Sequence, residues 1–439
     1  MRAPVAAPDY ARAMATDKTI WLASGLRTPF TKVDGGLRGR DAIGLGVPVL
    51  QAMAAQLAAG TRIDHAIWGT VIPNLGYSNI ARETWLDAKL DPTVPTSTTV
   101  MQCCTSMAAA FEAAGILGRG VGELALVGGT ESMTHVQAGL TQALSDFIRR
   151  VSQARGVKDL LAVVRELELH DVRLHVPAIR NRTTGKSMGE HCEEMAKTWQ
   201  IGRVEQDEVA LATHRAAVAA QERAFFKDLI APVDGVDRDA FPRPDTSLEK
   251  LAKLPPAFDT ESGNGTLTAG NSSPLTDGAA GLWVASDAGL GRLPAGTPRA
   301  KLIDFDQAAV DIQHEGLLMA PAYIIPRLLE RNRMSYADVG LWEIHEAFAA
   351  QLLCHLKALE TPSWVRDKAG VRVSLGTIPR DRINPNGGSV ALGHPFAATG
   401  ARILSQAIKE LAAMPAGTRS IVSICADGGL GTVALLERG

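Results

Sequence analysis

Short runs of β-branched and apolar residues alternate with Ala-rich helical stretches, and this rhythm occurs twice along the chain, which restricts the fold to an α/β protein with buried sheets. The first pass reads TIWLAS as a strand, a helix around Val49 to Ala59, HAIWGTVI as a strand, SMAAAFEAAGILG as a helix and ELALVGG as a strand. The second reads YIIPRLLERN as helix, VGLWEIHE as strand, TGARILSQAIKELAA as helix, and SIVSICADGG with TVALLE as two closing strands. Asp64 and Trp68 stand at the same spacing as Asp338 and Trp342, so two similar halves are expected. A chain of 439 residues with 46% hydrophobic and 21% charged residues can bury cores of that size.

Between Thr134 and about Ser262 the rhythm gives way to longer, more charged helices and loops. The expected organisation is a first half at residues 18–133 plus 263–288, an inserted loop domain at 134–262, and a second half at 298–439. Within the insertion Leu140, Leu144, Phe147, Ile148 and Val151 fall at helical spacing beside Arg149, Arg150, Arg155 and Lys158. That pattern fits a helix packed on its own domain with a solvated basic edge. The alternative to that favoured reading is a docking surface for a partner chain, an anionic ligand or a membrane.

Charge and cysteine usage narrow the setting. Lys and Arg number 45 against 47 Asp and Glu, a formal net charge of -2, which removes the basic field of a general nucleic-acid binder. Five cysteines, an odd number with no CxxC pair, point to a reducing compartment and no metal site. The uncharged stretch Ala42 to Thr61 is interrupted by Pro48, Gln51 and Gln56, and reads as a packed helix preceded by a loop, not as a transmembrane segment. The opening residues MRAPVAAPDYARAMATD lack an apolar targeting core and carry acids, so a cytoplasmic location is expected.

The chemistry-bearing residues sit at junctions of this rhythm. Cys103 and Cys104 end the strand-like TSTTVMQ and precede a helix, where unpaired N–H groups and the helix dipole are expected to lower a thiol pKa. His394 lies among small residues in GGSVALGHPFAATG, where Ala397, Ala398 and Gly400 allow close backbone approach. An imidazole there can act as a general base. Cys425 opens the Gly-rich turn ADGGLG, whose N–H groups can face a developing oxyanion. His345 and Glu346 end a strand in WEIHEAFAAQ.

Together the segments ASGLRTPF, NIARE, CCTS, VGGTESM, MGEHCEEMAK, EQDEVALATH, GTLTAGNSSPLTDGAA, HEAFAAQ, GGSVALGHPFAATGAR and CADGGLG resemble the thiolase family, from about Trp21 to the C-terminus. Within it the chain is most similar to the 3-ketoacyl-CoA thiolases of fatty-acid oxidation, the β-subunit type of the trifunctional complexes. The resemblance implies two βαβαβαββ-type halves in a five-layer αβαβα sandwich. Counting from the NIARE-like segment and back from the GGTESM-like segment, the reactive cysteine falls on Cys103, with Cys104 the alternative one residue away.

By resemblance, His394 activates Cys103 and Cys425 shuttles a proton. One oxyanion site combines His394 with a water held by His345, and the other uses the backbone N–H groups of Cys103 and Asp427. His345 stands where many thiolases have Asn, and HEAF is shared with the trifunctional type. Asp427 stands where Gly or Ala is usual, and its carboxylate is tolerable there only if turned away. Met188 and Ser273 are implied contacts for coenzyme A, although Met188 also reads as ordinary helix packing. The implied reaction is thiolysis of 3-oxoacyl-CoA to acetyl-CoA and a shortened acyl-CoA, with coenzyme A as substrate and no cofactor. The alternatives are a biosynthetic acetoacetyl-CoA thiolase and a non-catalytic acyl-CoA-binding scaffold. A decarboxylating ketosynthase has no use for Cys425. A homodimer is implied, with an α chain carrying hydratase and 3-hydroxyacyl-CoA dehydrogenase activities as a further partner.

Overall fold

In the computed structural model residues 18–439 are described, except 169, 171, 176, 178 and 179; the N-terminal stretch read above lies outside the described residues. The strands are β1 (Trp21–Ala23), β2 (Thr31–Lys32), β3 (His65–Gly69), β4 (Thr96–Thr98), β5 (Leu124–Glu131), β6 (Gly139–Leu140) and β7 (Leu174–His175). They continue with β8 (Thr276–Ala285), β9 (Arg299–Ala309), β10 (Val339–Ile344), β11 (Arg419–Ala426) and β12 (Leu430–Arg438).

The pleat sends successive side chains to opposite faces, and here both faces are buried. On β5, Leu124 and Leu126 enter an outer core with Trp68 and Trp283, whereas Ala125 and Val127 enter an inner core. On β12, Ala434 and Leu436 join the same inner core, while Val433 and Leu435 point to a second outer core. A slip of one residue would exchange every one of these side chains between cores of different shape, which fixes the register. Each fully buried Leu or Val contributes about 1.5–3 kcal/mol.

Three cores between five layers follow from this alternation. The helices Ala42–Ala54 and Ile80–Asp87 cover the first-half strands, and Ala320–Arg331 and Ala349–Leu359 cover the second-half strands. The helices Thr105–Gly118 and Thr399–Ala412 lie between, buried along nearly their whole length. They approach closely because residue 400 is Gly: a Cβ there would sit 2.5 Å from the Met107 nitrogen.

The strands run β4-β3-β5-β8-β1 and β10-β11-β12-β9, and the two sets join edge to edge where β1 pairs antiparallel with β9. The halves correspond strand for strand. Trp68 on β3 pairs parallel with Gly128 on β5, as Trp342 on β10 pairs parallel with Ile421 on β11. A single parallel bridge from Trp342 to Ile383 stands where β3 meets β4. The spacing echo at Asp64/Trp68 and Asp338/Trp342 is therefore a structural repeat.

Two local expectations are corrected. The helix expected around Val49 to Ala59 begins at Ala42 and ends at Ala54, with Pro48 in its interior. Asp41 caps it by accepting from the Gly44 N–H at 2.8 Å. Pro48 lacks the N–H that would bond the Gly44 carbonyl, and Arg40 Nη1 donates to that oxygen instead, at 3.0 Å. Leu140 belongs to β6, and the helix expected to include it starts only at Gln142, after the Thr141 cap. That helix, Gln142–Gln153, buries none of its residues fully and contacts the neighbouring Val157–Arg165 helix.

The segment between β5 and β8 otherwise reaches into the second half. Helix Met188–Thr198, closed by a Ser187/Glu190 capping box, adds Cys192, Met195 and Ala196 to the outer core beside Cys354. Among the described residues no helix is long and apolar enough to cross a membrane.

Candidate active site

Cys103 and Cys104 occupy a tight turn between β4 and the central helix Thr105–Gly118. Gln102 adopts φ +44°, a left-handed conformation disfavoured for a residue with a side chain. Thr105 holds the turn in place: its hydroxyl donates to the Gln102 carbonyl at 2.7 Å and accepts from the Met101 N–H at 2.9 Å. The two thiols diverge. Cys104 Sγ donates to the Ile424 carbonyl at 3.4 Å. Cys103 Sγ lies 3.2 Å from His394 Nε2.

His394 is delivered by the loop ahead of the second central helix. Gly393 adopts φ +95°, and a Cβ on it would lie 2.7 Å from the Phe241 ring, so only Gly fits. The imidazole Nδ1 bonds the Thr399 hydroxyl at 2.6 Å, and that hydroxyl donates to the Pro395 carbonyl at 3.2 Å. With its own proton so committed, Thr399 accepts from Nδ1–H, which leaves Nε2 unprotonated toward Cys103. The loop is tied to the first half by Glu131, whose buried carboxyl accepts from the Ala397 N–H at 3.1 Å, the Ile72 N–H at 3.0 Å and the Thr70 hydroxyl at 2.8 Å.

His345 follows β10, and its ring centroid is 4.3 Å from that of His394. Arg402 Nη2 donates to Ser389 Oγ at 2.6 Å, and Ser389 Oγ lies 2.9 Å from His345 Nδ1. Arginine only donates, so the Ser389 proton is free to reach Nδ1 and place the His345 proton on Nε2. That Nε2 is buried and has no partner among the described residues, so it is available to a bound water or oxyanion.

Electrostatics make the resting pair neutral. Burial, with the Arg402 charge, pushes His394 down to about 3. His345 is driven well below its usual range by burial, then by His394 and Arg402. Burial also drives the Cys103 thiol well above the usual cysteine range, with Cys104, Asp427 and Glu131 adding to it, against one bond from the Asp427 backbone N–H. This corrects the expectation of a thiol acidified by the helix start: removal from water outweighs the few N–H groups that face the sulfur. Cys425, at the end of β11 and 1% exposed, is likewise raised by burial and then by the charges of Cys103 and Cys104. Two thiolates at once are disfavoured, as suits a site that passes one proton.

The Asp427 carboxylate is held in place, accepting from Asn181 Nδ2 at 2.8 Å and from the Gly428 N–H at 2.7 Å. Glu346 accepts from Thr213 Oγ1 at 3.0 Å and Asn384 Nδ2 at 2.6 Å, bracing the loop before His394 from behind. Met188 is half-buried against the second-half core. Ser273 is half-buried, and its N–H donates to the carbonyl of Ala347, two residues beyond His345. Among the described residues neither hydrogen-bonds Cys103, His394 or Cys425. Among the described residues no group of three His, Cys, Asp or Glu side chains is placed to hold a metal ion. Sequence reasoning missed Thr399, Ser389, Arg402 and Asn181; the first three lie inside the GGSVALGHPFAATGAR string, whereas Asn181 carries no motif signal.

Known proteins resemble this chain over nearly its whole length. Residues 20–288 match the family described as Thiolase, N-terminal domain, and residues 296–438 match Thiolase, C-terminal domain. The 3-ketoacyl-CoA thiolase of Yersinia enterocolitica is 35% identical over 95% of this chain and 96% of its own length, and that of Yersinia pestis is 34% identical over the same shares. The crystal structure of the Bacillus anthracis acetyl-CoA acetyltransferase superposes with a TM-score of 0.78 at 31% identity, over 96% of this chain and 98% of that one. A thiolase from Ascaris suum, solved in complex with coenzyme A, gives 0.76 at 25% identity over 96% and 100%. With both domain families matched in order and full-length relatives above 30% identity, the chain belongs to the thiolase family.

Proposed function

We propose that this chain is a 3-ketoacyl-CoA thiolase, an acetyl-CoA C-acyltransferase that cleaves 3-oxoacyl-CoA with coenzyme A by way of an acyl-Cys103 intermediate. The observation that carries the reading is the 3.2 Å approach of the unprotonated His394 Nε2 to Cys103 Sγ in a buried site with a second thiol, Cys425. His394 takes the Cys103 proton as sulfur attacks the C3 carbonyl, so no thiolate need exist beforehand. The backbone N–H groups of Cys103 and Asp427, and His345 through its Nε2–H and a water beside His394, supply the two oxyanion sites. As the C2–C3 bond breaks, the Cys425 thiol protonates C2 of the departing acetyl-CoA enolate. The Cys425 thiolate then removes the proton of incoming coenzyme A, whose sulfur attacks the acyl-Cys103 thioester, and Cys103 leaves with the proton returned by His394.

Coenzyme A contacts at Met188 and Ser273, a role in fatty-acid β-oxidation, a homodimer, and association with a hydratase/3-hydroxyacyl-CoA dehydrogenase chain complete the reading. So does the division into 18–133 plus 263–288, 134–262 and 298–439. Five free cysteines agree with a cytoplasmic setting. The test is coenzyme A-dependent cleavage of 3-oxoacyl-CoA substrates of increasing chain length by the purified chain, with native sizing of the same sample. Acetyl-CoA and the shortened acyl-CoA should form in equal amounts across several lengths. Cleavage confined to acetoacetyl-CoA would favour the biosynthetic type, and no cleavage at all would leave only an acyl-CoA-binding scaffold.

A further inference from the structure

Asp427 sets a problem that the reaction alone does not solve. Its backbone N–H serves the Cys103 sulfur, yet the same residue carries a carboxylate near the thiol that must give up its proton. The answer lies 246 residues away in sequence, on the loop before helix Met188–Thr198. Asn181 is 7% exposed and its side chain is fully committed. Its Oδ1 accepts from the N–H groups of Thr183 at 3.0 Å and Thr184 at 3.1 Å, so the amide can face Asp427 only with its NH₂. Its main chain is pinned as well: the Asn181 N–H donates to the Lys186 carbonyl at 2.9 Å, and Gly185 N–H donates to the Asn181 carbonyl at 2.8 Å. A donor held this rigidly takes hold of one carboxylate oxygen, and the Gly428 N–H holds the same oxygen from the other side at 2.7 Å.

We infer that Asn181 is a positioning residue for acylation: it fixes the Asp427 side chain, so that the Asp427 N–H faces the sulfur while the carboxylate is kept from swinging closer to it. The inference rests on Cys103 being the nucleophile. It also gives the segment between β5 and β8 a part in the chemistry, because the loop that carries Asn181 belongs to that segment. The charged and titratable groups acting on Cys103 are Cys104, Asp427, Glu131 and His394, with Cys425 behind them. Glu131 is immobilised by four hydrogen bonds. Asp427, on a turn, is held among the described residues by the clamp and by its own Gly428.

The test is the rate of Cys103 alkylation by iodoacetamide against pH, read by peptide mass spectrometry, which needs no coenzyme A and no turnover. In Asn181→Ala the freed carboxylate should shift the profile upward by about one unit, about tenfold slower at fixed pH. Asn181→Asp keeps the acceptor that Thr183 and Thr184 use, so the loop is retained, and should shift the profile at least as far. Asp427→Ala should shift it downward, and Asn181→Ala combined with Asp427→Ala should coincide with Asp427→Ala alone. If the double variant keeps the slowing of Asn181→Ala, or if both Asn181 variants superpose on the parent, the clamp is overturned. A parent that never acylates Cys103 from an acyl-CoA would instead remove the thiolase reading, whatever the alkylation profiles show.

Discussion

With Cys425 replaced by Ala, steady-state thiolysis is expected to fall by about 10²–10⁴-fold, the usual worth of a positioned acid and base, while Cys103 still accepts an acyl group from a simple acyl-CoA. The two halves of the reaction make different demands. Transfer from a saturated acyl-CoA expels a thiolate, which can leave without Cys425 to protonate it, and generates no carbanion, so part of its rate survives. Cleavage of a 3-oxoacyl-CoA releases an enolate whose C2 must be protonated, and the deacylating half must take a proton from coenzyme A. Cys425 is 1% exposed and small, so its truncation removes a single atom from a closed core at a cost of about 1 kcal/mol. Single-turnover acylation and steady-state thiolysis, measured on the same preparation, separate the two effects. Near-normal turnover would take the protein out of the two-cysteine mechanism.

His394→Ala should act earlier, slowing acylation itself by about 10²–10⁴-fold. In the parent, the sign of the histidine shift matters. Burial and the Arg402 charge hold His394 down to about 3, so the imidazole is neutral, with Nε2 free to accept a proton, at every pH well above that value. The acylation rate of the parent should accordingly show no inflection near pH 6.5, where an ordinary histidine titrates. Stopped-flow acylation between pH 5 and 9, ranges set by about 1.5 to 2.5 units either side of that ordinary value, checks both statements. An inflection near 6.5 that vanishes in His394→Ala would mean that the imidazole is protonated at rest and that the neutral pair is wrong.

Much of the scaffold was legible because its signals are local. Ala-rich stretches and apolar runs mark the central helices and most strands, and the Trp68/Trp342 echo marks the repeat. The strand β8 was not marked: TDGAAGLWVA is buried on both faces and has no alternation to read. Pro48 concealed the true start of helix Ala42–Ala54, since its compensating donor, Arg40, is visible only in three dimensions. At the site, Cys103, His394, Cys425 and His345 stood out by their junctions and by family resemblance. Their ionisation did not, because a helix start can be read from sequence whereas burial cannot; at Cys103 burial wins. The supports Ser389, Arg402 and Asn181 act through partners brought near by the fold, and only Asn181 lies outside a recognisable string.

The central claim is that Cys103 carries the acyl group. Rapid mixing of the purified chain with a 3-oxoacyl-CoA in the absence of free coenzyme A, followed by acid quench and peptide mass spectrometry, tests it most directly. The shortened acyl group should appear on Cys103, with one acetyl-CoA released for each site acylated. An acyl group on Cys104 with Cys103 left free, or release of acetyl-CoA with no acylated cysteine, would contradict it.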